Sequence, residues 1–144
     1  MLVEIHKMKR FNLCVTRVSE DAACPRRKVP PVTRVCFQLQ VKPDRLTEYT
    51  ERHATVWPEM LQAISAAGRR NYSLFLRGDG LLIGYYETDD DAAAQRALDA
   101  DPRTAAWEAE MADFFMSLDG RPDQGAPRLT EVFNLEDQLS QLTN

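Results

Sequence analysis

Hydrophobic and polar residues alternate along three stretches of the chain, which is the pattern of half-buried β-strands. In residues 34–41 every second residue is apolar, and these positions are Val35, Phe37, Leu39 and Val41. Residues 71–77 alternate in the same way, and the turn Gly78-Asp79-Gly80 leads into a third stretch at 81–88. Because glycine readily adopts the positive φ of tight turns, the second and third strands are predicted to form a hairpin. A last strand is predicted at 129–136, with apolar residues Val132, Phe133 and Leu135.

Apolar residues after the first strand recur at intervals of three and four, as they do along one face of a helix. The recurring positions are Leu46, Tyr49, His53, Trp57, Met60 and Ile64, and Gly68 ends the run. Pro58 disfavours helical dihedral angles at Trp57 and removes one backbone hydrogen bond. We therefore expect two helices, at about 44–54 and 58–67, with the carboxylate of Asp44 capping the first.

Two further helices are predicted in the second half of the chain. The run Asp89-Asp90-Asp91 is typical of a helix N-terminus, and Pro102 begins another helix that carries Trp107, Met111, Phe114 and Phe115. Residues 120–127 are expected to form a loop. The order strand, helix, strand, strand, helix, strand predicts an α+β fold, the ferredoxin-like sandwich, in which helices cover one face of an antiparallel sheet.

One layer of helices leaves the other face of this sheet uncovered. The residues expected near that face are neither wholly polar nor wholly apolar, and they include Gln38, Gln40, Ser73, Phe75, Tyr85 and Tyr86. Such a surface is typical of a sheet that lines a cavity or meets a second subunit. We therefore expect a homodimer whose two sheets close into a shared barrel, the dimeric α/β-barrel arrangement.

Charge divides the chain of 144 residues into a basic extension and an acidic domain. Residues 1–33 carry seven Lys or Arg and three acids, a net charge of +4, whereas the remaining residues carry 11 bases and 19 acids, a net charge of -8. The composition changes at Pro30-Pro31, which favours an extended spacer. We interpret 1–33 as a poorly ordered N-terminal extension, 34–137 as one domain and 138–144 as a C-terminal tail. A phosphate anchor in the extension is the alternative interpretation.

The balance of charge, apolar residues and cysteine narrows the classes of partner and the compartment. A pI near 5.2 gives no bulk attraction to nucleic acid, and no stretch is apolar enough to predict a membrane span. The cysteines, Cys14, Cys24 and Cys36, form no C-x-x-C pair, and His6 and His53 are the two histidines, so no zinc site is expected. Sparse, odd-numbered cysteine favours a reducing compartment, and we expect a cytoplasmic protein.

His53 interrupts the apolar face of the first helix. It follows Tyr49 by four residues and precedes Trp57 by four, so the three side chains share one narrow face. One interpretation is a core histidine with satisfied ring nitrogens. The other is a proton-transfer group, because imidazole titrates near neutrality and the flanking aromatic rings are typical of sugar sites. The helix C-terminus is expected to raise the pKa of His53.

The motifs of most other chemistries are missing from the sequence. It contains no G-x-G-x-x-G, phosphate-binding loop, G-x-S-x-G or H-E-x-x-H pattern, so we expect no nucleotide cofactor, serine nucleophile or catalytic zinc. Acidic residues are plentiful, and a pair suited to glycoside cleavage stays open. Cys36 lies on a strand and is interpreted as a small hydrophobic residue. Chemistry that needs a proton shuttle and no cofactor is favoured.

The run RHATVWPEM at residues 52–60, with Asn71-Tyr72 and Glu131-Val132-Phe133, resembles the L-rhamnose mutarotase family over about 34–136. The resemblance implies small cytoplasmic dimers of ferredoxin-like subunits that interconvert the α and β anomers of L-rhamnose without a cofactor. It implies that His53 is a proton donor. Because opening a cyclic hemiacetal requires a proton at the ring oxygen, we expect His53 to deliver that proton on opening and to recover it on closure. It also implies that Tyr49 and Tyr72 contact the sugar.

The family pattern places two adjacent tryptophans on the helix after the third strand. Here the first matches Trp107, which is expected to pack against the apolar face of the sugar, and the second position is Glu108. This departure places Glu108 among the expected substrate-binding residues and bears on which sugar is preferred. Residues 1–33 have no counterpart in the family pattern.

Other interpretations of these residues and of the function stay open at this point. Tyr72 fits a core position, Trp107 fits a dimer interface, and Trp57 fits a packing role at the kink. Arg52 fits either a solvated position or an ion pair with Glu48. Two other functions suit the same architecture. One is a small monooxygenase that needs no cofactor, and the other is a dimer that binds a small ligand without catalysis.

Overall fold

The structure is a computed structural model that describes residues 32–116 and 120–142, so residues 1–31 of the extension, with Cys14, Cys24 and His6, lie outside the described residues. The elements, in chain order, are β1 (Thr33–Gln40), α1 (Leu46–Ala54), α2 (Pro58–Ala66), β2 (Arg70–Leu76), β3 (Leu81–Thr88), α3 (Asp91–Ala100), α4 (Pro102–Ala112), α5 (Pro122–Gly125), β4 (Arg128–Leu129) and α6 (Leu135–Leu142).

The four strands form one antiparallel sheet in the order β2-β3-β1-β4. This order confirms the predicted ferredoxin-like fold. Phe37 of β1 lies opposite Gly84 of β3, and a Cβ atom at Gly84 would approach the Phe37 ring to 2.0 Å. The absence of a side chain at Gly84 therefore lets the Phe37 ring lie across the sheet beneath the helices.

The predicted hairpin between β2 and β3 is confirmed. Gly80 has a φ of +92°, and its backbone amide donates to the carbonyl oxygen of Arg77 at 2.9 Å. The apolar face of β1 is buried as its alternation predicts. Together with residues of β3 and the helices it forms the core, whose members include Val35, Phe37, Leu39, Met60, Leu82, Tyr86, Trp107, Met111 and Phe114.

The break between the first two helices is confirmed at Trp57, which has an extended ψ of 131° directly before Pro58. The predicted cap at Asp44 is wrong. Pro43–Arg45 forms a 3-10 turn ahead of α1, and no side chain caps either element. Proline at the start of this turn fixes the backbone there, so the chain enters α1 through the turn instead of through an Asp44 cap. His53 consequently lies in the last turn of α1, next to the break.

Aspartate caps fix the start of both helices in the second half. The carboxylate of Asp90 accepts a hydrogen bond from the backbone amide of Ala93 at 2.9 Å, and that of Asp101 accepts from the amide of Arg103. Both helices begin where the sequence predicts. α4 ends at Ala112, and Phe114 and Phe115 lie just beyond it and are buried.

The prediction for the C-terminal residues is wrong in most of its detail. β4 has two residues, α5 lies within the expected loop, and Leu135–Leu142 forms helix α6. The side chain of Asn134 accepts a hydrogen bond from the amide of Asp137, which caps α6, and leucines at three- and four-residue spacing continue it. α6 crosses the boundary set at 137/138, and the division into domain and tail stays a prediction.

The side of the sheet away from the helices carries a mixed surface, as expected. Strand pairing places Cys36, Ser73 and Tyr85 in one row and Gln38, Phe75 and Ile83 in the next. Phe75 is 63% exposed there. Tyr86 does not belong to this surface, because it is buried on the helix side, where its hydroxyl donates to Asp91 at 2.6 Å. We call this surface the open sheet face.

Among the described residues, no helix combines the length and the apolar character needed to cross a membrane.

Candidate active site

A cavity lies between the sheet and helices α1, α2 and α4. It has an inner part of about 60 Å³ and an outer part of about 370 Å³. The outer volume falls in the range of sites for small organic ligands. Five residues line both parts, and these are His53, Tyr72, Leu74, Trp107 and Glu108. The four predicted site residues other than Tyr49 are therefore brought together with Leu74, and Tyr49 lines the inner part.

His53 is held by contacts on two sides. Its Nδ1 atom lies 3.0 Å from the backbone carbonyl oxygen of Tyr49, one turn earlier in α1. A carbonyl oxygen can only accept, so Nδ1 carries a hydrogen and donates it, and Nε2 is left as the other ring nitrogen. The imidazole stacks on the Tyr49 ring with centroids 4.1 Å apart and meets the Trp107 ring edge-on at 5.7 Å.

The expectation that the helix C-terminus raises the pKa of His53 is wrong. Burial among aromatic rings lowers the pKa of His53 below its ordinary value, and the hydrogen bond to the Tyr49 carbonyl opposes this only in part. Removal of water from the charged imidazolium thus outweighs the attraction of the helix C-terminus. At neutral pH the ring is therefore neutral, and Nε2 holds an unshared electron pair that can accept a proton.

The Tyr49 ring forms the floor beneath His53. It is 3% exposed and meets the rings of Phe114 and Phe115 edge-on at 5.9 and 5.7 Å. Burial raises the pKa of the Tyr49 hydroxyl, so it stays a neutral phenol that can donate and accept hydrogen bonds. Its orientation is set by core packing.

Tyr72 of β2 lines both parts of the cavity. Its ring contacts the rings of Phe37 and Tyr86 edge-on, with centroids 6.4 and 5.4 Å apart, and the side chain is partly exposed. Tyr72 therefore both packs against core aromatic rings and lines the cavity.

Trp107 of α4 forms part of the cavity wall. It is 6% exposed and packs against Trp57, with ring centroids 5.3 Å apart and planes at 78°. Trp57 precedes the break between α1 and α2, as its predicted packing role requires. Because Trp107 is buried against Trp57 and His53 of its own subunit, its position is set by the cavity and the fold of the single chain.

Glu108 is a buried carboxyl group on the same helix. It is 7% exposed, and its Oε2 atom accepts a hydrogen bond from the backbone amide of Asp123 at 3.2 Å. That amide belongs to the first turn of α5 and has no partner within so short a helix. Burial, together with the nearby Asp123 carboxylate, raises the pKa of Glu108 to about 7.

The sequence patterns did not identify the residues that support Glu108. Arg121 donates two hydrogen bonds to the carboxylate of Asp123, at 3.0 and 2.9 Å, and Pro122 begins α5. The sequence Arg-Pro-Asp is itself a signal of a helix start, because proline is favoured in the first turn and acids stabilise it. The segment was instead expected to be a loop.

Arg52, the neighbour of His53, lies outside the cavity. The expected ion pair with Glu48 is wrong, because Arg52 pairs with Glu110 of α4 and Glu48 pairs with Arg45 at 2.9 Å. The Arg52–Glu110 pair links α1 to α4 on the solvent side. Over the ranges 32–116 and 120–142, no group of three or more His, Cys, Asp or Glu has an arrangement that could hold a metal ion.

Comparison with known families identifies the family of the chain. The family model of L-rhamnose mutarotase matches residues 34–135. Curated relatives named L-rhamnose mutarotase include one from Yersinia pestis, 36% identical over 110 residues that span 72% of this chain and 98% of the relative. Another, from Oceanobacillus iheyensis, is 31% identical over 101 residues that span 69% of this chain and 95% of the relative.

Solved structures show the same fold. The crystal structure of an L-rhamnose mutarotase from Formosa agariphila superposes with a TM-score of 0.58 at 26% identity, covering 72% of this chain and 98% of that one. A monooxygenase from Streptomyces coelicolor superposes with a TM-score of 0.51 at 15% identity, covering 71% of this chain and 88% of that one. At that identity the second likeness shows the shared fold alone.

Proposed function

Because the chain belongs to the L-rhamnose mutarotase family, we propose that it is an isomerase that interconverts the α and β anomers of L-rhamnose. The relatives' names support an enzyme that acts on a sugar. The proposed reaction opens the pyranose ring to the free aldehyde and closes it on the other face of the carbonyl carbon. It consumes no cofactor and leaves no net change in protonation.

Anomer exchange needs a proton at each of two oxygen atoms. On opening, the anomeric hydroxyl loses a proton while the C1–O5 bond breaks and the ring oxygen gains one. On closure, after rotation about the C1–C2 bond, both transfers run backwards. A positioned acid or base supplies a rate factor of about 10² to 10⁴ for each such transfer.

The observation that carries the proposal is the fixed orientation of His53. Its Nδ1 hydrogen is committed to the Tyr49 carbonyl oxygen, so Nε2 is the nitrogen available for proton transfer. Because the lowered pKa keeps the ring neutral, His53 begins as a base that takes the proton of the anomeric hydroxyl and returns it on closure. This differs from the expected start as a donor to the ring oxygen, which would require the imidazolium.

The other lining residues have binding roles in this proposal. The phenol of Tyr49 and that of Tyr72 hydrogen-bond to sugar hydroxyls, because both lie in the inner part of the cavity and stay neutral donors and acceptors. Trp107 packs against the apolar face and the methyl group of the 6-deoxy sugar. Glu108, in the place of the family's second tryptophan, lies close enough to the sugar to affect which one is preferred.

A homodimer in the cytoplasm belongs to the same proposal. The open sheet face exposes Phe75, and the C-terminal residues expose Val132, which is 92% exposed, with Phe133 and Leu142. Exposed apolar side chains of this size favour burial against a second copy of the chain. The sparse cysteine content supports a reducing compartment.

Saturation-transfer NMR on L-rhamnose tests the proposed activity directly. The wild-type protein is expected to speed exchange between the anomeric resonances above the spontaneous rate, and His53→Gln is expected to lower the catalysed rate constant about 100-fold or more. Glu51→Gln, an exposed change on the same helix, is the matched control and should keep the wild-type rate.

Other sugars and an oxidation assay complete the test. A panel of L-rhamnose, L-fucose, L-lyxose and D-glucose would show the sugar range. Wild-type protein that leaves all exchange rates at the spontaneous value would overturn the proposal. Oxygen uptake with a hydroquinone substrate, without anomer exchange, would identify the monooxygenase alternative instead.

A further inference from the structure

Two carboxyl groups line the inner cavity, and their surroundings differ. The Asp123 carboxylate is paired with Arg121 through both oxygens. Glu108 has no Lys or Arg within ion-pair distance among the residues of 32–116 and 120–142. A carboxyl group that is 7% exposed and lacks a cation is costly to keep as an anion, so the neutral acid is favoured.

Glu108 and His53 line the same cavity from different helices. It follows Trp107 on α4, and the Trp107 ring meets the His53 ring at 5.7 Å, so the two titratable side chains reach the cavity from different helices. Both line the inner and the outer parts. A sugar in this cavity would thus be lined by a nitrogen base from α1 and by a carboxyl group from α4.

We propose that Glu108 is the second proton-transfer group of this site and serves the ring oxygen of the sugar while His53 serves the anomeric hydroxyl. This inference rests on the proposed function and supplies the acid that a neutral His53 requires. It assigns a catalytic role to Glu108, which the family resemblance identified only as a residue that replaces the second tryptophan of the pattern.

The proton balance closes without any further reactant. On opening, Nε2 of His53 takes the proton from O1, the C1–O5 bond breaks with its electron pair going to O5, and O5 takes the proton of the Glu108 carboxyl group. The aldehyde rotates about C1–C2. On closure the Glu108 carboxylate takes the proton back from O5, O5 bonds to C1, and O1 takes its proton from Nε2 of His53.

The two carboxyl oxygens of Glu108 have different roles, one in holding the side chain in place and the other in carrying the acid proton. Oε2 accepts the hydrogen bond from the Asp123 amide, which holds the side chain in place in both protonation states. Because an oxygen that accepts from an amide keeps its lone pair toward the donor, the acid proton resides on Oε1. The pKa of Glu108, raised to about 7, gives comparable amounts of acid and carboxylate near neutral pH, which suits a group that must give and retake a proton.

Other charged or titratable groups facing Glu108 come from every neighbouring element. The group comprises Tyr49 and His53 of α1, Arg69 before β2, Tyr72 of β2, and Arg121 and Asp123 at α5. Asp123 raises the pKa of Glu108, whereas Arg121 and Arg69 oppose that rise. Any pH dependence assigned to Glu108 must therefore disappear when Glu108 alone is changed.

The test is the pH profile of anomer exchange in Glu108→Gln. The glutamine side-chain oxygen still accepts from the Asp123 amide, so the variant keeps the cap on α5 and removes only the exchangeable proton. The wild-type rate should rise with pH as His53 loses its proton and fall near pH 7 as Glu108 loses its own. We expect Glu108→Gln to lower the rate constant by about 10² and to abolish the falling limb.

Glu110→Gln is the matched control, because it makes the same chemical change on the solvent side of the same helix and should keep both limbs. Glu108→Asp provides a second variant that retains a carboxyl group, and it should keep the falling limb at a reduced rate. A wild-type rate and falling limb in Glu108→Gln would overturn the inference while leaving the proposed function intact. Wild-type protein without any exchange activity would overturn the proposed function instead.

Discussion

Nδ1 of His53 donates to the carbonyl oxygen of Tyr49 at 3.0 Å, while the rings of the same two residues stack at 4.1 Å. One helical turn thus fixes both the tautomer and the plane of the imidazole. The Tyr49 carbonyl lies one helical turn before His53, and His53 itself is in the last turn of α1, which ends at Ala54.

The first prediction concerns the titration of His53 itself. Nitrogen-15 NMR should show Nδ1 protonated and Nε2 unprotonated at pH 7, with a pKa below that of a free histidine, because burial disfavours the charged ring. His53→Gln identifies the resonance by its loss. A His53 that titrates above pH 6.5, or that carries its hydrogen on Nε2, would contradict the assigned role as a base.

The same lowered pKa has a consequence for folding. Below pH 6.5 the unfolded chain binds a proton at this histidine that the folded chain does not, so the free energy of unfolding falls as the pH drops toward the folded pKa. Denaturant titrations between pH 7 and pH 5 should show that His53→Gln weakens this loss. An equal loss in both proteins would assign it to other groups.

The second prediction separates the ring of Tyr49 from its hydroxyl. Tyr49→Phe keeps the stack on His53 and the contacts with Phe114 and Phe115, so thermal stability should change little. Loss of one hydrogen bond to the sugar should raise KM about 3- to 10-fold. Tyr49→Ala removes the buried ring and should cost about 3 to 5 kcal/mol. Unchanged KM in Tyr49→Phe would remove Tyr49 from the binding residues.

The third prediction uses the two tryptophans of the chain, Trp57 and Trp107. Trp57→Phe leaves Trp107 as the single indole, at the wall of the cavity, and titration with L-rhamnose should change its fluorescence. Trp107→Phe leaves Trp57, which packs behind that wall, and should give a smaller change together with a higher KM. If saturating L-rhamnose left the fluorescence of Trp57→Phe unchanged, the sugar would not bind next to Trp107.

Local sequence patterns predicted the part of the molecule that builds the site. Alternation predicted the buried face of β1, from which Phe37 and Leu39 line the cavity, and helical spacing predicted that Tyr49 and His53 share one face of α1. These features depend on periodicity, which a sequence displays directly. Pro58 identified the break between helices for the same reason, since its effect on the backbone is local.

Features that depend on distant contacts escaped prediction. The pKa of His53 follows from burial by residues of β2 and α4, which no local pattern shows, and the local helix-terminus effect pointed the opposite way. The strand expected at 129–136 has the apolar residues of a strand, but the Asn134 cap and the leucines after it favour a helix from Leu135. The sequence identified Glu108 as a departure from a family pattern. Its hydrogen bond with the Asp123 amide could be seen only in the folded structure, because the two residues are distant in sequence.

The fourth prediction concerns the open sheet face. Phe75→Lys places a charge on its most exposed ring, and light scattering should show that the homodimer dissociates at concentrations where the wild type stays paired. Ala97→Lys, on the exposed side of α3, is the control and should leave the mass unchanged. A wild-type protein that is monomeric at micromolar concentration would end the dimer proposal.

The last prediction links Glu108 to the stability of the fold. Its folded pKa of about 7 lies above the ordinary value of 4.5, so between these two values the folded chain holds a proton that the unfolded chain has released. Stability from this group is complete below pH 4.5 and is lost as the pH rises through 7, by up to about 3 kcal/mol. Glu108→Gln should remove this loss, so that the free energy of unfolding of the variant overtakes that of the wild type as the pH increases from 5 to 8.

Denaturant unfolding at each pH measures the difference, with Glu110→Gln as the control that should follow the wild type. A constant difference between Glu108→Gln and wild type across this range would show that the carboxyl group is ionised at all of these pH values, and the acid assigned to the ring oxygen would then be absent.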